Sequence, residues 1–177
     1  MKLILRLTFL LGAIQPQVHA QAPAFDEYQV KAAFLFNFAK FVEWPPDAFS
    51  SPDQPIGICV LGQNPFGTVL EETVRGKVVG HRTFVVLQIL DGQHVTGCHI
   101  VFICASAGKR SVSLLEELRN KGVLTVSETD GVQAMGGVIG LNLKDGRVRI
   151  EIDLAAAERA KLRISSKLLS LAEIKKQ

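Results

Sequence analysis

Three short, largely apolar runs bounded by turn-forming residues constrain the fold most: Ile56-Gly57-Ile58-Cys59-Val60-Leu61, Cys98-His99-Ile100-Val101-Phe102-Ile103 and Val123-Leu124-Thr125-Val126. Such runs suit strands buried on both faces, because neither side of the pleat then meets water. Between them the spacing turns helical. A helix is predicted over Thr68 to Val74, followed by a β-branched strand over Thr83 to Leu90 that reads as internal. Ser111 stands where it can cap a helix running to Asn120, and Lys121-Gly122 stops it. Alternation of this kind predicts an α/β class: a single compact domain with a mixed central β-sheet flanked by helices on both faces, ending in a β-hairpin and helices.

The hairpin is written in residues 138–152. Val138 to Leu143 and Arg147 to Ile152 flank Lys144-Asp145-Gly146, and Asp-Gly supplies the positive backbone angles of a tight turn. In its second strand Val148, Ile150 and Ile152 point to a packed face, and Arg147, Arg149 and Glu151 to a wet one. Asp153 is placed to cap a helix through Ala157 and Leu162. A last helix starts near Ser165-Ser166 and is expected to bury Leu168, Leu171 and Ala172.

At the other end, Asp26 to Val42 has helical spacing in Val30, Phe34, Phe38, Phe41 and Val42, and Trp44-Pro45-Pro46 ends it. Phe34, Leu35, Phe36, Phe38 and Phe41 widen its apolar surface beyond one core-facing stripe. Phe36 lies clearly off that stripe, which makes it a candidate partner contact.

Ahead of the helix, Met1, Lys2 and Arg6 give a basic start, and Leu3 to Ile14 form an apolar run of about a dozen residues. That is shorter than the roughly 20 needed to span a bilayer. Val18 and Ala20 occupy small-residue positions ahead of a cleavage site, so residues 1–20 read as a cleaved signal peptide and 21–177 as a single domain, exported and not membrane-embedded. Losing Lys2 and Arg6 lowers the formal charge from +3 to +1, which leaves no electrostatic reason to bind nucleic acid.

Export gives meaning to Cys59, Cys98 and Cys104, because thiols pair in an oxidising compartment. One bridge and one free cysteine is the simplest arrangement, and three pairings are open. Cys104, between Ile103 and Ala105, looks like a buried free thiol. His94, Cys98, His99 and Cys104 do not make a convincing metal site, since neighbours on a strand face opposite ways. Gly62-Gln63-Asn64-Pro65-Phe66-Gly67 has the glycine spacing of a phosphate loop, but Thr68 stands where that motif needs Lys, so the segment reads as a turn. With no triad spacing, paired carboxylates or dinucleotide glycine pattern, the chain is not expected to be an enzyme or to need a cofactor. Ser127-Glu128 and Asp130 read as loop polarity.

Five segments in order resemble the YfiR family: Lys31-Ala32-Ala33-Phe34-Leu35-Phe36-Asn37-Phe38-Ala39-Lys40-Phe41-Val42-Glu43-Trp44-Pro45, Ile58-Cys59-Val60-Leu61-Gly62, Cys98-His99-Ile100-Val101-Phe102-Ile103, Leu124-Thr125-Val126-Ser127-Glu128 and Leu162-Arg163-Ile164-Ser165-Ser166-Lys167-Leu168-Leu169. The resemblance implies a periplasmic protein that binds the periplasmic domain of a membrane diguanylate cyclase and holds it inactive. Release would come through an OmpA-like outer-membrane lipoprotein or redox stress. It further implies a homodimer and a Cys59–Cys98 disulfide. Some family members carry a second bridge near the final hairpin; here Gln133 and Gly140 stand in that stretch and no cysteine follows Cys104, so any redox response rests on one bridge.

The candidate contact surfaces are then the aromatic helix, represented by Phe36, and the hairpin face of Arg147, Arg149 and Glu151. A different reading, a periplasmic small-ligand sensor, would use Arg163 and Lys167 beside the hairpin arginines as a cationic mouth for an acidic or aromatic metabolite.

Overall fold

A computed structural model describes residues 24–89, 95–129 and 135–175. The signal-peptide reading, His94, Asp130 and Gln133 lie outside them. Helix α1 (Ala24–Phe41) leads into strand β1 (Val42–Glu43), and then come β2 (Ile56–Leu61), α2 (Val69–Val74), β3 (Phe84–Ile89) and β4 (Ile100–Ile103). The second half holds α3 (Arg110–Leu118), β5 (Leu124–Ser127), β6 (Ile139–Lys144), β7 (Arg147–Ile152), α4 (Leu154–Arg159), β8 (Arg163–Ile164), α5 (Ser166–Leu169) and β9 (Glu173–Ile174).

Among the described residues seven strands form one sheet in the order β3-β2-β4-β5-β6-β7-β9, and β1 pairs with β8 beside it. Strands β3, β2, β4, β5 and β6 are parallel, β7 returns antiparallel to β6, and β9 runs parallel to β7. Every residue of β2, β4 and β5 is buried, as the apolar runs require.

Each face has its own core. Ile58, Val60, Ile100, Phe102, Leu124, Val126, Ile139, Leu141 and Ile150 pack with α1 and α2. On the other face Cys59, Leu61, Val101 and Ile103 pack under Leu114, Leu115 and Leu118 of α3. The α1 stripe that enters the core is Lys31, Ala32, Leu35, Phe38, Ala39 and Val42, rotated from the predicted one, so that Val30 is exposed.

Local signals with a specific backbone demand are met. Asp145 (φ 51°) and Gly146 (φ 70°) make the hairpin turn with both central angles positive. Asp153 accepts from the Ala156 amide and Ser165 from the Leu168 amide, capping α4 and α5.

Four expectations are corrected. Ser111 does not cap α3: it lies inside the helix, and its hydroxyl donates to the Gly108 carbonyl. The α4 helix stops at Arg159 rather than reaching Leu162, with Lys161 at positive φ. Leu171 is exposed, because α5 is a single turn and Leu171 falls beyond it. Among the described residues strand β3 is an edge and not internal, and five of its six residues are exposed or half-buried.

Candidate functional site

Numbered from β2, the parallel strands follow the doubly wound order 2-1-3-4-5, whose crevice opens at the carboxyl ends of the strands where the order reverses. Here that point lies between β2 and β4, beside the loops that start at Gly62 and Cys104 and near Glu128 after β5.

The chain's own side chains occupy this place. Lys31, 2% exposed, reaches from α1 to Glu128 with Nζ 2.8 Å from Oε2, and Glu27 one turn earlier lies 2.5 Å from the same ammonium. Tyr28 donates its hydroxyl to Glu128 Oε2 at 3.2 Å, and the Ala105 amide donates to Oε1 at 2.8 Å. Both oxygens of Glu128 are therefore used, which a buried carboxylate needs. The Phe66 ring stands edge-on to Tyr28 and to Phe102, closing the side wall.

The loops after β2 and β4 are stitched together, since the Gln63 amide donates to Ser106 Oγ at 2.8 Å. Gly62 (φ 103°) permits that approach, because a Cβ there would lie 2.7 Å from Ser106 Oγ. Burial, then the Glu128 charge, push both the Tyr28 hydroxyl and the Cys104 thiol up to about 12. Cys104 is thus a protonated, inert thiol at neutral pH. The glycine-bounded loop after β2 is a turn that carries Phe66 into the core.

The lock was missed in the sequence, where Glu128 reads as loop polarity. A signal was available: Lys31 stands four residues before Leu35 and seven before Phe38, on the core stripe of α1, and a lysine there demands a counter-charge.

On the other face Cys59 and Cys98 form a disulfide with Cα atoms 5.7 Å apart, and Cys104 is free and buried. Next to the bridge His99 is buried; its Nδ1 accepts from the Gly57 amide at 2.9 Å, which fixes the proton on Nε2. Gly57 cannot carry a side chain, as a Cβ would collide with the Gly97 carbonyl. Phe49 stacks on the imidazole at 4.1 Å, Arg82 covers the Phe49 ring, and Trp44 Nε1 donates to the His99 carbonyl.

Burial foremost, and the positive Arg82, lower the pKa of His99 below its ordinary value. A base whose folded pKa is depressed takes up its proton more readily when unfolded, so its stabilising contribution is complete above about pH 6.5 and is lost as pH falls below it. The midpoint of urea unfolding should therefore decline from pH 7.5 to pH 5. His99→Gln, whose amide oxygen can still accept from Gly57, should flatten that decline; an equally steep decline in the variant would assign it to other groups.

The predicted surface residues are widely separated. Phe36 is half-buried, edge-on to Phe84 of β3 at 5.5 Å, with the Lys40 and Lys77 ammonium groups 4.3 and 4.4 Å from its ring centre. Arg147 and Arg149 are exposed on β7, and Glu151 is held by Lys144 at 2.6 Å. Phe36 packs on the α1 face and the hairpin arginines project from the opposite face. Arg163 lies 3.7 Å from Glu43, both highly exposed, and Lys167 is exposed on α5. These two belong to the α1 face, so the hairpin arginines stand across the sheet from them.

Among the described residues no group of His, Cys, Asp and Glu is arranged to hold a metal ion, and no helix is long and apolar enough to cross a membrane. Fold and lock together define a doubly wound α/β domain whose switch-point crevice is filled by its own first helix. The YfiR/HmsC-like family matches residues 28–173, and the chain belongs to that family. No curated protein matches the chain. Membership places it among regulatory proteins acting on diguanylate cyclases in general.

Proposed function

We propose that the protein binds and represses the periplasmic domain of an inner-membrane diguanylate cyclase, lowering cyclic di-GMP signalling and biofilm formation. An OmpA-like outer-membrane lipoprotein relieves the repression by sequestering it. The observation that carries the reading is the family match over residues 28–173. The Cys59–Cys98 bridge suits an oxidising compartment, and residues 1–20 have the sequence of an export signal that would deliver the chain there. No catalytic step is assigned to the protein itself.

Two surfaces are proposed for the contact, Phe36 on α1 and the hairpin face of Arg147, Arg149 and Glu151. They lie on opposite faces of the sheet, so one partner surface engages one of them. Calorimetry with the periplasmic domain of the organism's candidate cyclase tests the reading, and binding at micromolar strength or tighter is expected. Phe36→Asp should keep the fold, since Lys40 and Lys77 stand ready to neutralise the new carboxylate. If Phe36 is the contact, this variant weakens binding about tenfold or more; if the hairpin is, Arg149→Glu does so instead. No binding by the wild-type protein would overturn the proposal and turn attention to a small ligand at Arg163 and Lys167.

A further inference from the structure

The switch-point crevice is filled, but a second cavity opens at the other end of the sheet, beside the amino ends of β5 and β6. It holds about 420 Å³, within the ~300–1,000 Å³ of small-ligand sites. The C-terminal end of α3 forms one wall and α4 the other. Leu118, Val123, Val138, Ala156 and Ala160 are all buried and give the cavity an apolar interior. Neither Arg163 nor Lys167 lines it, so it is separate from the cationic mouth those two would form.

The charged groups that line this cavity are mostly donors. Arg119, Arg159 and Lys175 bring three positive charges and Asp153 one negative. Asp153 is already engaged: Oδ1 accepts from the Ala156 amide at 2.8 Å, and Oδ2 lies 3.5 Å from Lys175 Nζ. Arg119 and Arg159 have no carboxylate partner among the described residues. The Arg159 guanidinium folds back over the chain at Gly136, where an added Cβ would lie 3.8 Å from its Nη2.

An arginine at a helix C-terminus can serve to cap the last carbonyls. Here the backbone does so itself. Glu116 and Leu118 of α3 accept from the Arg119 and Lys121 amides, and Ala156, Ala157 and Glu158 of α4 accept from the Ala160, Leu162 and Lys161 amides. The donors of both guanidinium groups are therefore free for another acceptor.

Thr125 adds a buried donor beside them. It is the ladder partner of Val101, which packs under α3, so its side chain shares that face, and it is 4% exposed. Its Oγ1 accepts from the Val138 amide at 2.9 Å, and among the described residues nothing accepts its own proton. A buried hydroxyl is stabilised by that second bond, and a ligand oxygen in the cavity would supply it.

We infer that this cavity binds a small aliphatic dicarboxylate, its methylene body against Leu118, Val123 and Ala160 and its carboxylates met by Arg119, Arg159 and the Thr125 hydroxyl. Three positive charges and one negative leave a net +2 to balance such a dianion. A guanidinium receives a carboxylate through two parallel hydrogen bonds, which suits two arginines on facing walls. An inorganic anion would leave the apolar walls without contact, and a monocarboxylate would leave one arginine unmatched. The inference is independent of the cyclase reading.

Calorimetry and thermal-shift measurements on the purified protein with succinate, glutarate and adipate, and with butyrate and sulfate for comparison, test it. At least one dicarboxylate should bind with a Kd on the order of 0.1 mM, as suits so small a ligand, and raise the thermal transition. Butyrate and sulfate should bind about tenfold more weakly or worse. Arg119→Gln and Arg159→Gln change exposed side chains, so each should leave the thermal transition of the free protein in place while weakening binding about tenfold or more. Arg163→Gln should leave binding as it is. No binding of any of the three dicarboxylates up to about 10 mM, sulfate or butyrate binding as tightly as they do, or a loss caused by Arg163→Gln and not by Arg119→Gln or Arg159→Gln would each overturn the inference.

Discussion

Cys59→Ala/Cys98→Ala is expected to lower the thermal transition by about 10 °C. The bridge joins residues 39 apart in sequence, and closing a loop of that length removes denatured-state entropy worth about 4 kcal/mol. For a domain of this size each kcal/mol moves the transition by roughly 2–4 °C. Scanning calorimetry of the variant checks this, and a shift below about 3 °C would mean that the bridge constrains little beyond what the parallel ladder already holds. Both sulfurs sit in residues that are buried, Cys59 fully. A reductant thiolate therefore reaches them only when this end of the sheet opens, and mild reductant added to the folded protein should act slowly compared with reductant added in urea. If partner binding responds to reductant within seconds, the bridge is more accessible than its burial implies.

Lys31→Met should cost about 3–5 kcal/mol, because it leaves Glu128 buried with its counter-charge gone. Glu128→Gln should cost less, since the amide oxygen still accepts from Ala105 N, while Lys31 keeps Glu27. The double variant Lys31→Met/Glu128→Gln should recover part of the loss of the first, as an uncharged amide no longer needs the lysine. Urea midpoints of the two single variants and the double variant give the coupling directly. Single-variant losses under about 1 kcal/mol, with no coupling, would show that water reaches the pair. The test bears on function as well as stability, since this lock holds the first turns of α1 across the crevice where folds of this order admit ligands.

The α/β class, the strand positions, the hairpin and its packed and wet faces were legible because each depends on a few neighbouring residues. An apolar run marks a strand buried on both sides, and alternation from Arg147 to Ile152 marks one buried on a single side. Legibility fell where a residue's neighbours were set by the sheet. The β-branched composition of residues 83–90 suits a strand at any position, and only the order β3-β2-β4 made it an edge. The stripe of α1 keeps Phe38 and Val42 of the expected one but takes Lys31, Ala32, Leu35 and Ala39 in place of Val30, Phe34 and Phe41, because its many aromatic residues look equally suited to a core. The structure chose Leu35 and Phe38 for the interior and left Phe36 under two lysines.

Sequence alone thus determined the elements whose cause is local: the Asp145-Gly146 turn needs positive φ, the Asp153 and Ser165 caps answer free amides one turn away, and the central runs admit no wet face. Tertiary structure alone decided the contacts between distant segments. Glu128 meets Lys31 across 97 residues only because the parallel order sets the end of β5 beneath α1. Cys98 is carried to Cys59 by the same order, which lays β4 beside β2. Local preferences act over a turn or a strand, whereas the order of strands is set by how the whole chain buries its apolar surface, and the residues that lock, bridge and expose this protein depend on that order.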